Sequence, residues 1–261
     1  MTVVMFFDLD THVIAILFAA GALGTAVNAL AGGGTLITFP AFMLVGVPGV
    51  IANASNAVAI FPGRLMVILA YRRELASHWP LVLFTSMLGV AGGLAGAWLL
   101  LRSSDRGFLN SVPWLLLGAT IVFVFDRAIA RAARSEMGGP VARWVASGGI
   151  VLGATYGGFF GAGLGILMMP LLSALGVRDM QQLNAIKNAL VTAVASVAVI
   201  AFVVAGAVSW PGAIAMAAGS IPGGWLGGKF ARRVPTTWLR ATVIAFGFAM
   251  SAFYFHKVYL A

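Results

Sequence analysis

From one end of this chain to the other, long apolar stretches recur with only short polar connections between them. A helix rises about 1.5 Å per residue, so about 20 apolar residues cross a hydrocarbon layer roughly 30 Å thick. Inside such a layer no water is available to the backbone, which favours helices, whose N–H and C=O groups bond each other. Composition agrees: 61% of the 261 residues are hydrophobic and 9% are charged, against roughly 25% charged in an ordinary soluble domain. That much apolar surface cannot be hidden in water. The expectation is an all-α integral membrane protein with one membrane domain spanning 1–261.

Reading apolar runs against glycine, proline and charge predicts about ten helices: 12–31, 35–46, 51–70, 80–101, 110–130, 143–161, 164–176, 184–205, 211–229 and 238–257. Segments 35–46 and 164–176 are short for a full crossing, which leaves re-entrant or broken helices open. The first run starts near His12 behind Asp8 and Asp10, an acidic start unlike the basic start of a secretory signal, so it is read as a retained span. The longest polar connection is 126–142, where Arg127, Arg131 and Arg134 at helical spacing extend the fifth helix until Gly138-Gly139-Pro140 ends it.

The net charge of +9 does not indicate nucleic acid, because the cations sit in short connections rather than in a stripe with aromatics. They read as topology signals. With the N-terminus outside and every segment crossing, the inner connections hold Arg72, Arg73, Arg127, Arg131, Arg134, Arg143, Arg178, Lys229, Arg232, Arg233 and Arg240. The outer ones hold Arg102, Arg106 and Lys257. Eleven against three places both termini outside. Trp79, Trp114, Trp144, Trp210 and Trp238 fall near predicted segment ends, where indole rings anchor at the interface. The chain has no cysteine, which excludes disulfides, cysteine metal sites and thiol chemistry.

The two halves align at a nearly constant offset. Gly33, seven residues before Pro40, matches Gly163, seven before Pro170, and Gly46 matches Gly176. Asn53-Ala54-Ser55-Asn56-Ala57 resembles Asn184-Ala185-Ile186-Lys187-Asn188-Ala189 with one residue inserted. Ser77-His78-Trp79-Pro80 aligns with Val208-Ser209-Trp210-Pro211, and Gly92-Gly93 with Gly223-Gly224. Five segments per half is an odd number, so the second repeat starts on the opposite side of the membrane. The expectation is two inverted five-helix repeats, 1–137 and 138–261, the organisation of many secondary transporters.

These doubled landmarks resemble the sulfite exporter TauE/SafE family of bacterial membrane permeases. One copy runs from Ala31-Gly32-Gly33-Gly34-Thr35 to Pro40, Asn53–Asn56, Trp79 and Gly92-Gly93. The other runs from Gly157-Gly158-Phe159-Phe160-Gly161-Ala162-Gly163 to Pro170, Asn184–Asn188, Trp210 and Gly223-Gly224. The resemblance covers nearly the whole chain. It implies a multi-pass protein of the bacterial inner membrane that moves small sulfur-containing anions such as sulfite or organosulfonates. Lys187, inside the second asparagine stretch, departs from the pattern and points to a distinct ligand.

Candidate substrate-binding residues follow from what an anion needs. The turns at Gly32-Gly33-Gly34 and Gly161-Ala162-Gly163 precede helices starting at Thr35 and Leu164, whose N-terminal N–H groups and partial positive charge suit an anion. The alternative is that these glycines only make tight turns. Asn28, Asn53, Asn56, Asn184 and Asn188 can hold sulfonate oxygens without charge; capping or interhelical bonding is the competing role. Lys187 is the preferred counter-charge, with snorkelling to the nearby face as its alternative. Arg64 lies closer to a helix end, where snorkelling is favoured. The other paired glycines, Gly89/Gly93, Gly92/Gly96, Gly219/Gly223/Gly227 and Gly224/Gly228, have the small-x-x-x-small spacing of close helix packing.

All seven carboxylates lie at or near predicted segment ends, so no buried carboxylate is available as a proton relay. No metal-ligand set or cofactor motif is present, and Ser55 with Lys187 is the one conceivable catalytic pair. The reading is a carrier rather than an enzyme, with an anion channel lined by the same turns as the alternative and a purely structural subunit behind both. Its partners are a small anionic substrate and the lipid bilayer. The sequence carries no signature of oligomeric state.

Overall fold

The computed structural model describes residues 10–31, 33–125, 128, 140–230 and 236–260. Among these it contains helices and connections and no strand. The helices are α1 (Thr11–Ala31), α2 (Thr35–Leu44), α3 (Gly49–Ala70), α4 (Arg72–Ala76), α5 (Trp79–Arg102) and α6 (Asp105–Val124). Then come α7 (Pro140–Phe159), α8 (Leu164–Ala174), α9 (Met180–Val204), α10 (Trp210–Phe230) and α11 (Thr236–Phe255), which runs on into a π-helical turn, His256–Leu260. Five of the described helices are long and apolar enough to cross a membrane: Thr11–Asn28, Trp79–Arg102, Asp105–Val124, Gln181–Val204 and Ala241–Leu260. Large apolar side chains face outward elsewhere too, with Trp144 81% and Leu152 74% exposed on α7; in water such faces would drive association, in lipid they are solvated.

Capping explains where helix starts differ from the predicted ones. Helix α6 begins at Asp105 rather than near 110, because the Ser104 hydroxyl accepts the Gly107 N–H at 3.1 Å and an acidic residue opens the first turn. Trp114 is therefore well inside its helix and not at its end; its indole N–H donates to the Tyr259 hydroxyl at 3.2 Å, which donates to the Asn110 carbonyl. Helix α9 begins at Met180 rather than 184, with the Asp179 carboxylate accepting the Gln182 N–H at 2.9 Å. Helix α3 has no such residue of its own. Its Val50 N–H is taken by Asp105, from far along the chain, at 3.1 Å. Helix α7 starts on Pro140, where a missing N–H costs nothing. The expected extension through Arg127, Arg131 and Arg134, and the boundary at 137/138, lie outside the described residues.

Helices α2 and α8, at 10 and 11 residues, reach about 15 Å, half a bilayer. Each carries a proline, Pro40 and Pro170. Each ends in the same motif: Gly46 and Gly176 take φ +84° and +99°, and the Val47 and Val177 N–H groups reach back to Phe42 O and Leu172 O. This double return satisfies carbonyls that would otherwise be stranded. Helix α9 ends the same way at Gly206, φ +67°. The turns that precede α2 and α8 also match. Gly33 and Gly163 have φ +80° and +74°, and their carbonyls accept the Leu36 and Ile166 N–H groups.

The chain forms two compact units: Met1–Gly63 with Leu101–Ile121 and Phe202–Ala261, and Arg64–Leu100 with Val122–Ala201. Each draws on both sequence halves. In the first unit α10 lies on α1, with Gly219 and Gly223 against the carbonyls of Phe18 and Ala22, and Gly21 against that of Met216. Phe39, Phe42, Phe108, Leu17 and Leu116 fill its interior, and the rings of Phe39 and Phe108 meet edge to face at 6.1 Å. In the second unit α5 lies on α7, with Gly92 and Gly96 against the carbonyls of Val151 and Thr155 and Gly158 against that of Gly93. Ile150, Met168, Leu172, Ile186 and Leu190 form its core.

Two consequences are measurable. Gly96→Ala and Gly219→Ala force a methyl group into a backbone carbonyl and should each cost about 1–3 kcal/mol, lowering the thermal midpoint of the detergent-purified protein. Gly118→Ala and Gly148→Ala meet nothing within 4 Å and should leave it unchanged or raised; equal losses at all four would exclude close crossing as the cause. Gly163→Ala should cost about 1–2 kcal/mol for the left-handed turn. Gly165→Ala, which meets only ordinary contacts, should be near neutral in the same assay.

Candidate functional site

The first-half candidates lie in the first compact unit. Gly34 opens α2, and its N–H points to the Asn28 Oδ1 at 3.4 Å, so Asn28 ties the end of α1 to the turn. A Cβ at Gly34 would collide with Gly24 O, which shows how closely α2 folds back on α1. Thr35 is buried in the first turn of α2, and the Thr38 hydroxyl donates to Gly34 O at 3.2 Å. Gly33 supplies the left-handed turn; Gly32 lies outside the described residues.

Asn53 and Asn56 sit in α3, each 2% exposed, with Ser55 fully buried between them. Asn53 is the fifth residue of its helix and Asn184 the fifth of α9. Both are therefore one turn inside, and the capping role weighed for them belongs to Asp105 and Asp179 instead. The Ser209 N–H, just before the start of α10, donates to the Ser55 Oγ at 2.8 Å. Asn56 Oδ1 and Ser209 Oγ are buried with no hydrogen-bond partner among the described residues.

The second-half candidates lie in the second unit. Gly161 and Gly163 both take positive φ, and the Tyr156 hydroxyl donates to the Ala162 carbonyl at 2.7 Å, pinning the turn from within α7. Asn184, Lys187 and Asn188 are half-buried on α9. The Lys187 ammonium donates to the Asn184 Oδ1 at 3.0 Å. Its stem runs over α8: a Cβ built on Gly165, the second residue of that helix, would lie 3.6 Å from Lys187 Cδ and 3.8 Å from Cε. The ammonium thus sits by the first turn of α8, where the helix dipole is positive. One of its three donors is committed to Asn184.

The register between the asparagine stretches is simpler than the expected insertion. Helix α3 starts at Gly49 and α9 at Met180, the same separation as between Trp79 and Trp210, and both helices run without interruption. Counted from these starts, Asn56 and Lys187 both fall at the eighth position of their helices.

Sequence reasoning did not single out Tyr156 or Ser209. Tyr156 was legible as the one large polar side chain in a run of small residues. Ser209 acts on a residue 154 positions away, for which no local signal exists. As for the conceivable catalytic pair, Ser55 accepts from Ser209 while Lys187 donates to Asn184. Among the described residues no group of three or more His, Asp or Glu could hold a metal ion.

Known proteins bear on this arrangement. A probable membrane transporter protein of Haemophilus influenzae is 30% identical over 256 residues, 94% of this chain and 95% of its own length. Another of Xylella fastidiosa is 29% identical over 224 residues, 83% of this chain and 84% of its own. No solved structure matches. The family described as Sulfite exporter TauE/SafE matches residues 17–254. The chain is thus a membrane transporter, not an enzyme, and belongs to the sulfite exporter TauE/SafE family.

Proposed function

We propose that this transporter carries a small sulfur-containing anion, sulfite or an organosulfonate, across the inner membrane by alternating access. The observation that carries the anion reading is the Lys187 ammonium, oriented by Asn184 and lying over Gly165 at the start of α8. Gly161, Gly163 and Asn188 complete this set. Asn28, Gly32, Gly33, Gly34, Thr35, Asn53 and Asn56 are its first-half counterparts. An ionisable group at membrane depth is costly and marks a partner or pathway. The family description supports sulfur-containing cargo. A negative interior drives anion efflux with about 2.3 kcal/mol per charge per 100 mV, without need of a proton relay.

Uptake into proteoliposomes of sulfite, thiosulfate, taurine and sulfoacetate tests the substrate. Lys187→Met should lower uptake of the accepted anion at least about tenfold, the worth of roughly 1.4 kcal/mol of lost binding. Lys187→Arg should retain part of it. Unchanged uptake in Lys187→Met removes that residue from the site. Saturating counterflow supports the carrier; single-channel currents support the channel.

The alternating-access reading rests on inverted repeats with both termini outside. Matching breaks at Gly33/Gly163 and Gly46/Gly176 support the repeat. The cysteine-free chain allows a direct test. Ser77→Cys and Val208→Cys, at equivalent positions of the two repeats, should react with an impermeant thiol reagent from opposite faces, 208 from outside. Labelling of both from one face would make the repeats parallel.

A further inference from the structure

Helix α8 lies back along α7, residue against residue. Leu164, Met168 and Leu171 rest on Gly157, Gly153 and Gly149, where a built Cβ would come within 2.7 Å of each side chain. Apolar seats of this kind are non-directional; direction comes from the turn that joins the two helices. There Tyr156 acts three times. Its carbonyl accepts the Phe160 and Gly161 N–H groups at 2.8 and 3.2 Å. Its hydroxyl donates to the Ala162 carbonyl at 2.7 Å. Its ring meets that of Phe160 edge on, with centroids 6.4 Å apart. Ala162 is 1% exposed, so bulk water does not reach this carbonyl. Three residues on is Gly165, beside which the stem of Lys187 lies, with the ammonium held by Asn184 at 3.0 Å. All of these residues belong to one compact unit.

We propose that Tyr156 is a positioning residue for transport: its hydroxyl fixes the Gly161-Ala162-Gly163 turn, and through it the start of α8, at the place where α8 meets Lys187. The inference rests on the reading of Lys187 as the anion's counter-charge and adds the residue that sets its geometry. A buried carbonyl left without a donor is costly, so with the hydroxyl gone the turn is driven toward arrangements in which Ala162 O finds another donor. Gly161 and Gly163 open such arrangements, because glycine changes φ freely. In them α8 begins elsewhere relative to Lys187. The site is then assembled for a smaller fraction of the time, and apparent affinity falls by that fraction. Saturating anion draws the turn back, so the maximal rate is kept.

Tyr156→Phe keeps the ring and its contact with Phe160 and removes the hydroxyl alone. In proteoliposomes of the full-length protein, with the anion accepted among sulfite, thiosulfate, taurine and sulfoacetate, it should raise KM about fivefold, the worth of one hydrogen bond, and retain the maximal rate. A tyrosine that only braced the fold would lower the thermal midpoint and leave KM unchanged, and that result overturns the proposal. In the Lys187→Met background Tyr156→Phe should raise KM no further, since both act on one site. A full rise there places its action elsewhere and also overturns the proposal. Lys187→Met without effect on uptake fells the anion reading itself, whereas impaired Lys187→Met beside normal Tyr156→Phe fells the tyrosine's role alone. Placing 4-aminophenylalanine at 156 keeps a donor, though a weaker one, and should give a KM between those of the unmodified protein and Tyr156→Phe. Should Tyr156→Phe not fold, this variant decides: a KM no higher than that of the unmodified protein refutes the role of the hydroxyl.

Discussion

Backbone amides and carbonyls in hydrocarbon have no water to fall back on, and each one left open costs several kcal/mol. The glycine breaks of this chain are closed under that constraint. At the three left-handed glycines after α2, α8 and α9, carbonyls of the last turn accept the N–H of the glycine and of the residue that follows it. The turn before α8 is held by a tyrosine hydroxyl on its central carbonyl. Sealed in this way, the half-length helices α2 and α8 end with carbonyls of their last turns paired.

Helix association meets a second limit. Lipid is as apolar as leucine, so helices gain little by hiding side chains from it, and they gain instead by approaching closely. Both compact units use the same means, glycine on one helix against carbonyls on the other: α10 on α1, and α5 on α7. Each pairing joins a helix of one sequence half to a helix of the other. The glycines on α5 and α10 read as packing residues in the sequence, and the structure gives them partners.

The positions of the helices and the glycine breaks were legible because hydropathy and glycine spacing are local properties. Helix starts were less so. Ser104, Asp105 and Asp179 set three of them through single side chains inside polar connections, where a hydropathy window averages them away. Asn56 and Asn188 look alike in a string, but counted from the helix starts it is Lys187 that falls, like Asn56, at the eighth position. Of the candidate residues, Lys187 gained a stated neighbour in Asn184 and Asn28 one in Gly34. Ser209 had no signal because its partner is so distant in the chain.

The interleaving of the two units also sets an order of assembly. Residues 64–201 contain everything the second unit needs, whereas the first unit closes only with segments after 202. During synthesis α1 is made well before its partner α10, which begins only at Trp210. At about 5–20 residues per second the stretch between them is a wait of roughly 10–40 s. Throughout it, the Phe18 and Ala22 carbonyls of α1 lack the α10 glycines that later pack on them. Helix α1 is thus made long before the helix it packs on, and a chain stalled before residue 202 would hold all of one unit and only part of the other.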